Sequence, residues 1–499
     1  MTVTVDQRGE EQSLTAYPRR WLALAIIAIA QLMVVLDATI VNVALPAAQA
    51  DLGISDANRQ WVVTAYTLTF GGLLLLGGRI ADYWGRKRTF ILGILGFAAA
   101  SALGGLAQNG EVLFAARALQ GSFGALLAPA SLALLSVLFV DEKERARAFG
   151  VYGAIAGGGA AVGLLLGGVL TEYADWRWCL LVNIPIALLA WLAAVPLVPE
   201  SRAQGNTRYD VPGAVLVTLG LVSLVYGLTQ AAEPDKGWDS PATIGFLAAA
   251  GLLLAAFVVV EHRSNHPLLP LRVLLDRTRG GAYLASTLLG AGFIGAILFL
   301  TFYFQGVLGY TPVEAGLAAL PLTAGILLSA GMASNLLPRL GAKPLMVTGG
   351  VIAAGGMLWL TRITVEDHFW TQVAPAQFVM GIGLGLVFVP LGNLALVGVD
   401  EHDAGAASAV LNASQQVGGS IGTALLNTLA VSATSAYISD HLAANRPVDQ
   451  LLQVRATVDG FITAFAWGSA LLIASALVSL LMIRARRRDL ADTPSAAHM

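Results

Sequence analysis

The sequence predicts an all-α integral membrane protein with fourteen transmembrane helices, built as two six-helix pseudo-repeats with an inserted helix pair between them. Three observations predict it. Of the 499 residues, 56% are hydrophobic and only 12% charged, with a mean hydropathy of +0.72, too little charge to cover a soluble chain of this length. Apolar stretches of about 20 residues, the length that spans a bilayer, recur from one end of the chain to the other. One loop pattern also returns in the second half.

Taken in order, spans are expected near 21–42, 60–80, 89–107, 112–138, 148–170, 179–198, 211–229, 242–260, 281–306, 314–337, 344–362, 372–397, 405–434 and 461–483. The first twenty residues carry Asp6, Glu10 and Glu11 and no small-residue cleavage site, so the helix from Trp21 is expected to be retained and not removed as a signal peptide. An even number of spans puts both termini on one side. With the N-terminus in the cytoplasm, most of the 29 Lys and Arg fall inside, among them Arg79, Arg86, Lys87, Arg88, Lys143, Arg145, Arg147 and the run from Arg484 to Arg488. Arg59, Arg177, Lys236, Arg446 and Arg455 are left outside. This asymmetry orients the chain, although the connection at 398–404, with Asp400, Glu401 and Asp403, runs against it. The polar stretch 435–460 is expected outside, shaping an outer vestibule.

Between spans two and three the chain reads Asp82-Tyr-Trp-Gly85-Arg86-Lys87-Arg88, and 256 residues later Pro338-Arg-Leu-Gly341-Ala-Lys343-Pro344, with Gly and Lys in register. Internal duplication around a midplane site is a transporter plan. The expected organisation is a cytoplasmic N-terminus (1–20), a six-helix half (21–198), a linker with two extra helices (199–280), a second six-helix half (281–484) and a cytoplasmic tail (485–499).

Several classes are disfavoured. A net charge of −2 argues against a nucleic-acid partner. The single Cys179 makes no internal disulfide, and all six histidines lie in polar connections or the tail, so no metal site is expected. There is no Gly-Lys-Ser/Thr phosphate loop, no His-Glu-x-x-His and no paired membrane carboxylates, which disfavours an ATP-driven pump and an enzyme.

Asp37 stands out because it interrupts the apolar run from Trp21 to Asn42. An ionised carboxylate at the centre of a membrane helix costs at least about 2.5–3.5 kcal/mol. It must be held in a cavity, paired or protonated, and removal from water favours the protonated form. Asp37 is therefore a candidate proton carrier; the alternative is a structural carboxylate bonded to a neighbouring helix. Gly78, Asp82, Gly85 and Arg86 suit a latch in which small residues let helices two and three approach and the charges pair or cap, or else an ordinary positive inner loop. Arg117 shares a helix face with Gln120 and Gly121; the alternative for it is snorkelling to the outer surface near Glu111. Gly153, Gly157, Gly163 and Gly167 form a stripe of small residues on the fifth span, suited to close helix packing. Asn412, Gln415, Gln416 and Gly419 share a face of helix thirteen, and with Gln305, Gln377 and Asn393 they are amides that either line a cavity or join helices. Tyr66 and Phe302 are candidate aromatic walls, or packing residues. With so few fixed acids, the cavity suits a lipophilic substrate that is neutral or carries one positive charge.

Several motifs occur together and in order: Leu36-Asp37-Ala-Thr-Ile-Val-Asn42-Val-Ala-Leu-Pro46; Gly78-Arg79-Ile-Ala-Asp82-Tyr-Trp-Gly85-Arg86-Lys87; Arg117-Ala-Leu-Gln120-Gly121; Trp176-Arg177-Trp178 with Asn183-Ile-Pro185; and Gln416-Val-Gly418-Gly419. From Trp21 to about Arg484 the chain resembles the fourteen-helix drug:proton antiporter branch of the major facilitator superfamily. The resemblance implies proton-coupled efflux of drug-like or antibiotic molecules by alternating access. It ties Arg117 to proton coupling. Beside it, the reading of the residues puts Asp37 on the proton path, Gly78, Asp82, Gly85, Arg86 and the fifth-span glycines in gating, and Gln120, Tyr66, Phe302, Gln305, Asn393, Asn412 and Gln416 at substrate. That branch has a Gly-Pro pair in its fifth helix where this chain reads Gly163-Leu164. The resemblance also implies a monomer in a bacterial plasma membrane, with no cofactor and a proton gradient as energy source. The competing reading is facilitated or proton-coupled transport of an endogenous metabolite or lipid.

Overall fold

A computed structural model describes residues 19–139, 142–202, 210–232, 236–264, 276–365, 369–394, 404–441 and 450–484. The terminal segments and the acids Asp400, Glu401 and Asp403 lie outside it. In chain order the helices are α1 (Arg20–Leu52), α2 (Trp61–Trp84), α3 (Arg86–Gly105), α4 (Gly110–Leu138), α5 (Glu142–Tyr173), α6 (Trp178–Leu197), α7 (Val211–Ala232), α8 (Pro241–Arg263) and α9 (Arg277–Phe302, prolonged by a π-turn to Val307). The chain continues with α10 (Pro312–Leu340), α11 (Ala342–Leu360), α12 (Phe369–Leu394), α13 (Ala404–His441) and α14 (Gln450–Met482). Among the described residues, twelve helices are long and apolar enough to cross a membrane, and α2, bent by 53° between Trp61–Leu74 and Leu76–Trp84, makes a thirteenth. The described apolar part of α5, Ala161–Tyr173, is shorter. Thirteen of the fourteen expected spans are thus accounted for by length and composition.

Lipid leaves no water to satisfy a helix end, so capping falls to side chains or to a tightened turn. Asn109 accepts from Val112 N at 2.9 Å to start α4. Asp276 accepts from the Thr278 and Arg279 amides to start α9. Thr311 and Glu314 form a reciprocal capping box at α10, with Pro312 in its first turn.

Backbone geometry repeats where the loop motif does. Gly85 and Gly341, 256 residues apart, both take positive φ (123° and 84°) between consecutive helices. Gly53 and Gly309 stand at the same separation, and both are left-handed (63° and 67°) where the first helix of each group ends. These four positions need glycine because a β-carbon strains such backbone.

One core cluster lies wholly among α1–α6, joining Ala23, Phe90, Leu134 and Ala190. A second runs through α9–α14 and takes in only one end of the first group, through Ile40, Ala44, Ile54, Val62, Leu113, Trp176 and Leu180. A third joins α7 to α2 and α13 through Leu68, Leu221, Val225, Leu228 and Ala424. The inserted pair therefore lies along the seam where α2 meets α13. The end of the bundle that carries Gly53 and Gly309, away from the chain termini, is where the two groups share a core; it is called the sealed end below.

Close approach comes from glycine, at positions the sequence only partly indicates. Gly78 does not draw α2 onto α3: a β-carbon there would find only Pro129 Cβ of α4, at 3.6 Å. Its neighbour Gly77 makes the tight contact, since a β-carbon would lie 2.0 Å from Ala125 O. Gly77→Ala is therefore expected to destabilise the protein by about 1–3 kcal/mol, because a backbone carbonyl cannot step aside, while Gly78→Ala stays within about 0.5 kcal/mol. Thermal melting of the two variants in detergent separates these outcomes.

Candidate functional site

Asp37 lies on the face of α1 that also buries Met33, Val34, Ile40 and Val41, and its side chain is wholly shielded from solvent. Three helices supply its partners. From α4, Arg117 Nη1 donates to Asp37 Oδ2 at 2.5 Å and Gln120 Nε2 to Oδ1 at 2.8 Å. From α6, which is broken at Val182, Asn183 Nδ2 donates to Oδ1 at 2.9 Å. Ser101 of α3 ties the amides together, its Oγ lying 2.6 Å from Gln120 Nε2 and 3.2 Å from Asn183 Nδ2.

Arg117 is 1% exposed, which removes the snorkelling alternative. Besides Asp37 it donates to Gln120 Oε1 at 2.8 Å and, through Nε, to Val62 O in the first turn of α2 at 2.9 Å. Its guanidinium lies over the Tyr66 ring, 4.5 Å from the centroid, and Tyr66 stacks on Phe70. The desolvation of two buried ions is large, and only a close pair with its remaining lone pairs and protons satisfied offsets it. Asn183 Oδ1 is buried and accepts no hydrogen bond from the described residues. A half turn of that amide would present an acceptor to a protonated Asp37 without moving a helix.

At the sealed end, α1 and α9 are joined by Gln305 Nε2 donating to Val43 O at 2.8 Å, next to the turn that Pro46 disrupts. α5 meets α10 backbone to backbone: a β-carbon on Gly168 would lie 2.6 Å from Pro312 O, and Val313 N donates to Glu172 Oε2 at 3.0 Å. Arg59, 6% exposed at the foot of α2, reaches across to the second group. Its guanidinium carbon is 4.1 Å from the Phe302 ring centre and 6.0 Å from that of Phe461, and its Nε donates to Asn427 Oδ1 at 3.3 Å. Burial pulls this guanidinium below its usual pKa, with Asp56 pushing the other way. Farther along the seam, Thr67 and Ser420 hydroxyls lie 2.7 Å apart.

The 82–88 segment engages its own group. Arg86 donates to Asp82 Oδ1 at 2.9 Å, Arg86 N bonds Ser201 O at 2.9 Å, and Lys87 Nζ reaches Val195 O at 2.7 Å. A β-carbon on Gly85 would strike Glu200. In this conformation the loop is fastened to the end of α6.

The fifth-helix glycines hold α5 on α1: a β-carbon on Gly163 would meet Thr39 Oγ1 at 2.0 Å, and one on Gly167 Ile40 O at 2.8 Å. The surroundings of Gly153 and Gly157 lie outside the described residues. The residues expected at substrate are not gathered in one place. Gln120 and Tyr66 belong to the Asp37 network, and Phe302 and Gln305 to the sealed end. Asn393 donates to Val389 O in its own helix. Asn412 is exposed, and Gln416 is half-buried where Gly71 packs against its Cβ. Ser101, Asn183 and Arg59 were not anticipated as functional. Asn183 alone carried a signal, at the start of the sixth span. Among the described residues, no three His, Cys, Asp or Glu side chains group as a metal site.

A duplicated, all-helical membrane bundle with an ion pair buried in one group has the build of a secondary transporter. The chain belongs to the Major Facilitator Superfamily, whose family model matches residues 27–423. It is 49% identical over 484 residues to a puromycin resistance protein of Streptomyces alboniger, covering 96% of this chain and 94% of that one. A cephamycin export protein of Amycolatopsis lactamdurans is 41% identical over 418 residues, covering 83% and 85%. This chain shares its fold with a bacterial homologue of the human lysosomal transporter Spinster in an inward-facing, occupied conformation, at a TM-score of 0.67 and 14% identity over 95% of this chain and 99% of that one. The chain is thus a multi-pass membrane transporter of the superfamily's drug-efflux branch, and not an enzyme.

Proposed function

We propose that this protein exports a lipophilic antibiotic-like molecule, neutral or carrying one positive charge, across the bacterial plasma membrane in exchange for protons, working as a monomer without a cofactor. The observation that carries the proposal is the buried Asp37–Arg117 pair, held by Gln120 and Asn183 with one acceptor unused. A carboxyl group that loads and releases a proton can use that acceptor when it is protonated.

In this reading both termini are cytoplasmic, the sealed end faces outward, and the present conformation is open to the cytoplasm with Asp37 ionised. The two groups of helices rock about the seam. With the outer end open, Asp37 takes a proton and the Asn183 amide turns its oxygen to accept it. The neutral site lets the outer end close, and loss of the proton to the cytoplasm restores the ion pair. A membrane potential contributes about 2.3 kcal/mol per charge per 100 mV to each charge moved. Gly85 and the Asp82–Arg86 pair, fastened here to α6, would exchange partners when the inner end shuts.

The relatives make puromycin the first probe. Purified protein in proteoliposomes with an imposed pH gradient is expected to concentrate puromycin on the acidic side, and a protonophore is expected to abolish this. Flux indifferent to the gradient would instead establish a uniporter.

A further inference from the structure

A single turn of α7 is bonded to both groups of helices. Gln60, wholly buried at the sealed end where α2 begins, donates from Nε2 to Thr229 Oγ1 at 2.8 Å. The preceding residue of α7, Leu228, offers its carbonyl to Thr428 Oγ1 of α13 at 2.9 Å. Apolar packing bridges the same gap, with Leu221, Val225 and Leu228 of α7 meeting Leu68 of α2 and Ala424 of α13. Farther along α2, a β-carbon on Gly72 would lie 3.3 Å from Thr218 Oγ1, so α7 keeps to α2 for several turns. α8 packs in turn on α7: Tyr226 meets Phe246 edge to face with ring centres 4.6 Å apart, and β-carbons on Gly220 and Gly227 would strike Leu254 and Leu247, each at 2.9 Å. The two attachments of α7 differ in what they leave behind. Thr428 Oγ1 also lies 2.8 Å from Ala424 O in its own helix, so its proton has a second acceptor when Leu228 moves away. Gln60 Nε2 is a buried amide donor, and removing its acceptor while the site is closed strands it.

We propose that the inserted helix α7 is a strap that holds the sealed end shut: the outer ends of α2 and α13 part only when one of its two attachments, Gln60–Thr229 or Thr428–Leu228, lets go. A helix bonded to both groups within one turn cannot follow both as they separate, whichever group it stays with. These bonds lie between helices and away from water, where one interhelical contact moves an equilibrium by about three- to tenfold. That is enough to bias the resting protein toward a closed outer end, and small enough for bound cargo to overcome. This role rests on the rocking of the two groups proposed above, and it makes Gln60, Thr229 and Thr428 positioning residues for that motion.

The test uses the full chain in nanodiscs, in a Cys179→Ala background, with spin labels at Glu111→Cys and Ser435→Cys, exposed positions on opposite groups at the sealed end. Their separation is measured by pulsed electron resonance with and without puromycin, at mildly alkaline and mildly acidic pH. The parent is expected to show a short and a long distance, closed and open, in proportions set by these conditions. Thr229→Val and Thr428→Val keep the side-chain shape and remove the hydroxyl. Each is expected to shift the closed-to-open ratio toward open by about three- to tenfold, Thr229→Val the more, because it strands Gln60 Nε2 while the end is closed. Thr229→Ser, which returns the hydroxyl, should restore the parent ratio. The double variant should go little further than the larger single change, since losing either attachment undoes the strap. Parent-like ratios in both single variants overturn the proposal even where melting temperatures fall, because a merely structural contact moves melting alone. A shift confined to one variant overturns it too, as does simple additivity of the two changes. A parent that gives one short distance under every condition overturns the rocking reading itself, which is a different result from a parent with two distances matched by its variants.

Discussion

Replacing Asp37 with asparagine is expected to reduce gradient-driven puromycin accumulation in proteoliposomes to the level seen with a protonophore, while leaving a folded protein that still binds or slowly equilibrates cargo. The geometry makes this more than the loss of a charge. Asparagine has nearly the shape of aspartate and can still accept from Gln120 Nε2 or Asn183 Nδ2, which lie 2.8 and 2.9 Å from Asp37 Oδ1. What it cannot do is ionise, so the site is fixed in the state that protonation would create. Breaking a buried ion pair by removing one partner typically costs about 3–5 kcal/mol. The retained amide contacts place this variant toward the lower end, because Arg117 keeps Val62 O, Gln120 Oε1 and the Tyr66 ring. A variant that still accumulates puromycin against a gradient as the parent does would remove Asp37 from the proton path.

The contrast between what the sequence made legible and what it did not follows from how each residue departs from its surroundings. Asp37 and Arg117 were legible because a charge within an apolar span has few inexpensive explanations. The duplication was legible in one loop because Gly341 repeats the backbone demand of Gly85, and both do take positive φ. Gly53 and Gly309 impose the same demand, but without a shared motif around them the repeat was not visible there. Ser101 and Asn183 went unremarked as functional because a hydroxyl or an amide in a membrane helix is ordinary, and only the convergence of α1, α3, α4 and α6 makes these two partners of a carboxylate. Phe302 and Gln305 were assigned to substrate because a ring or an amide within a span suits a cavity wall, and the residue type does not say which helix it meets. In the structure these two side chains meet Arg59 and the Val43 carbonyl. Arg59 itself was read as one of a few outer-side charges, a count that cannot distinguish a solvated arginine from one 6% exposed.

Stability and coupling should separate when the ion pair is neutralised from both sides. Arg117→Met alone leaves Asp37 buried without a counter-charge and is expected to cost about 3–5 kcal/mol, read as a large fall in melting temperature or in the yield of monodisperse protein. Asp37→Asn added to it removes the stranded charge, and replacement of a buried pair by neutral groups of similar volume is often close to neutral in stability. The double variant is therefore expected to recover most of what Arg117→Met loses. Some deficit should remain, since methionine cannot donate to Val62 O or to Gln120 Oε1. Transport is expected to behave in the opposite way: the recovered protein should remain indifferent to an imposed pH gradient, because neither replacement side chain can exchange a proton. A pair whose role was only to hold α1 against α4 would give the contrary pattern, with coupling returning alongside stability. Measuring melting and gradient-driven accumulation on the same four proteins distinguishes the two, because a structural pair moves both readouts together and a coupling pair moves them apart.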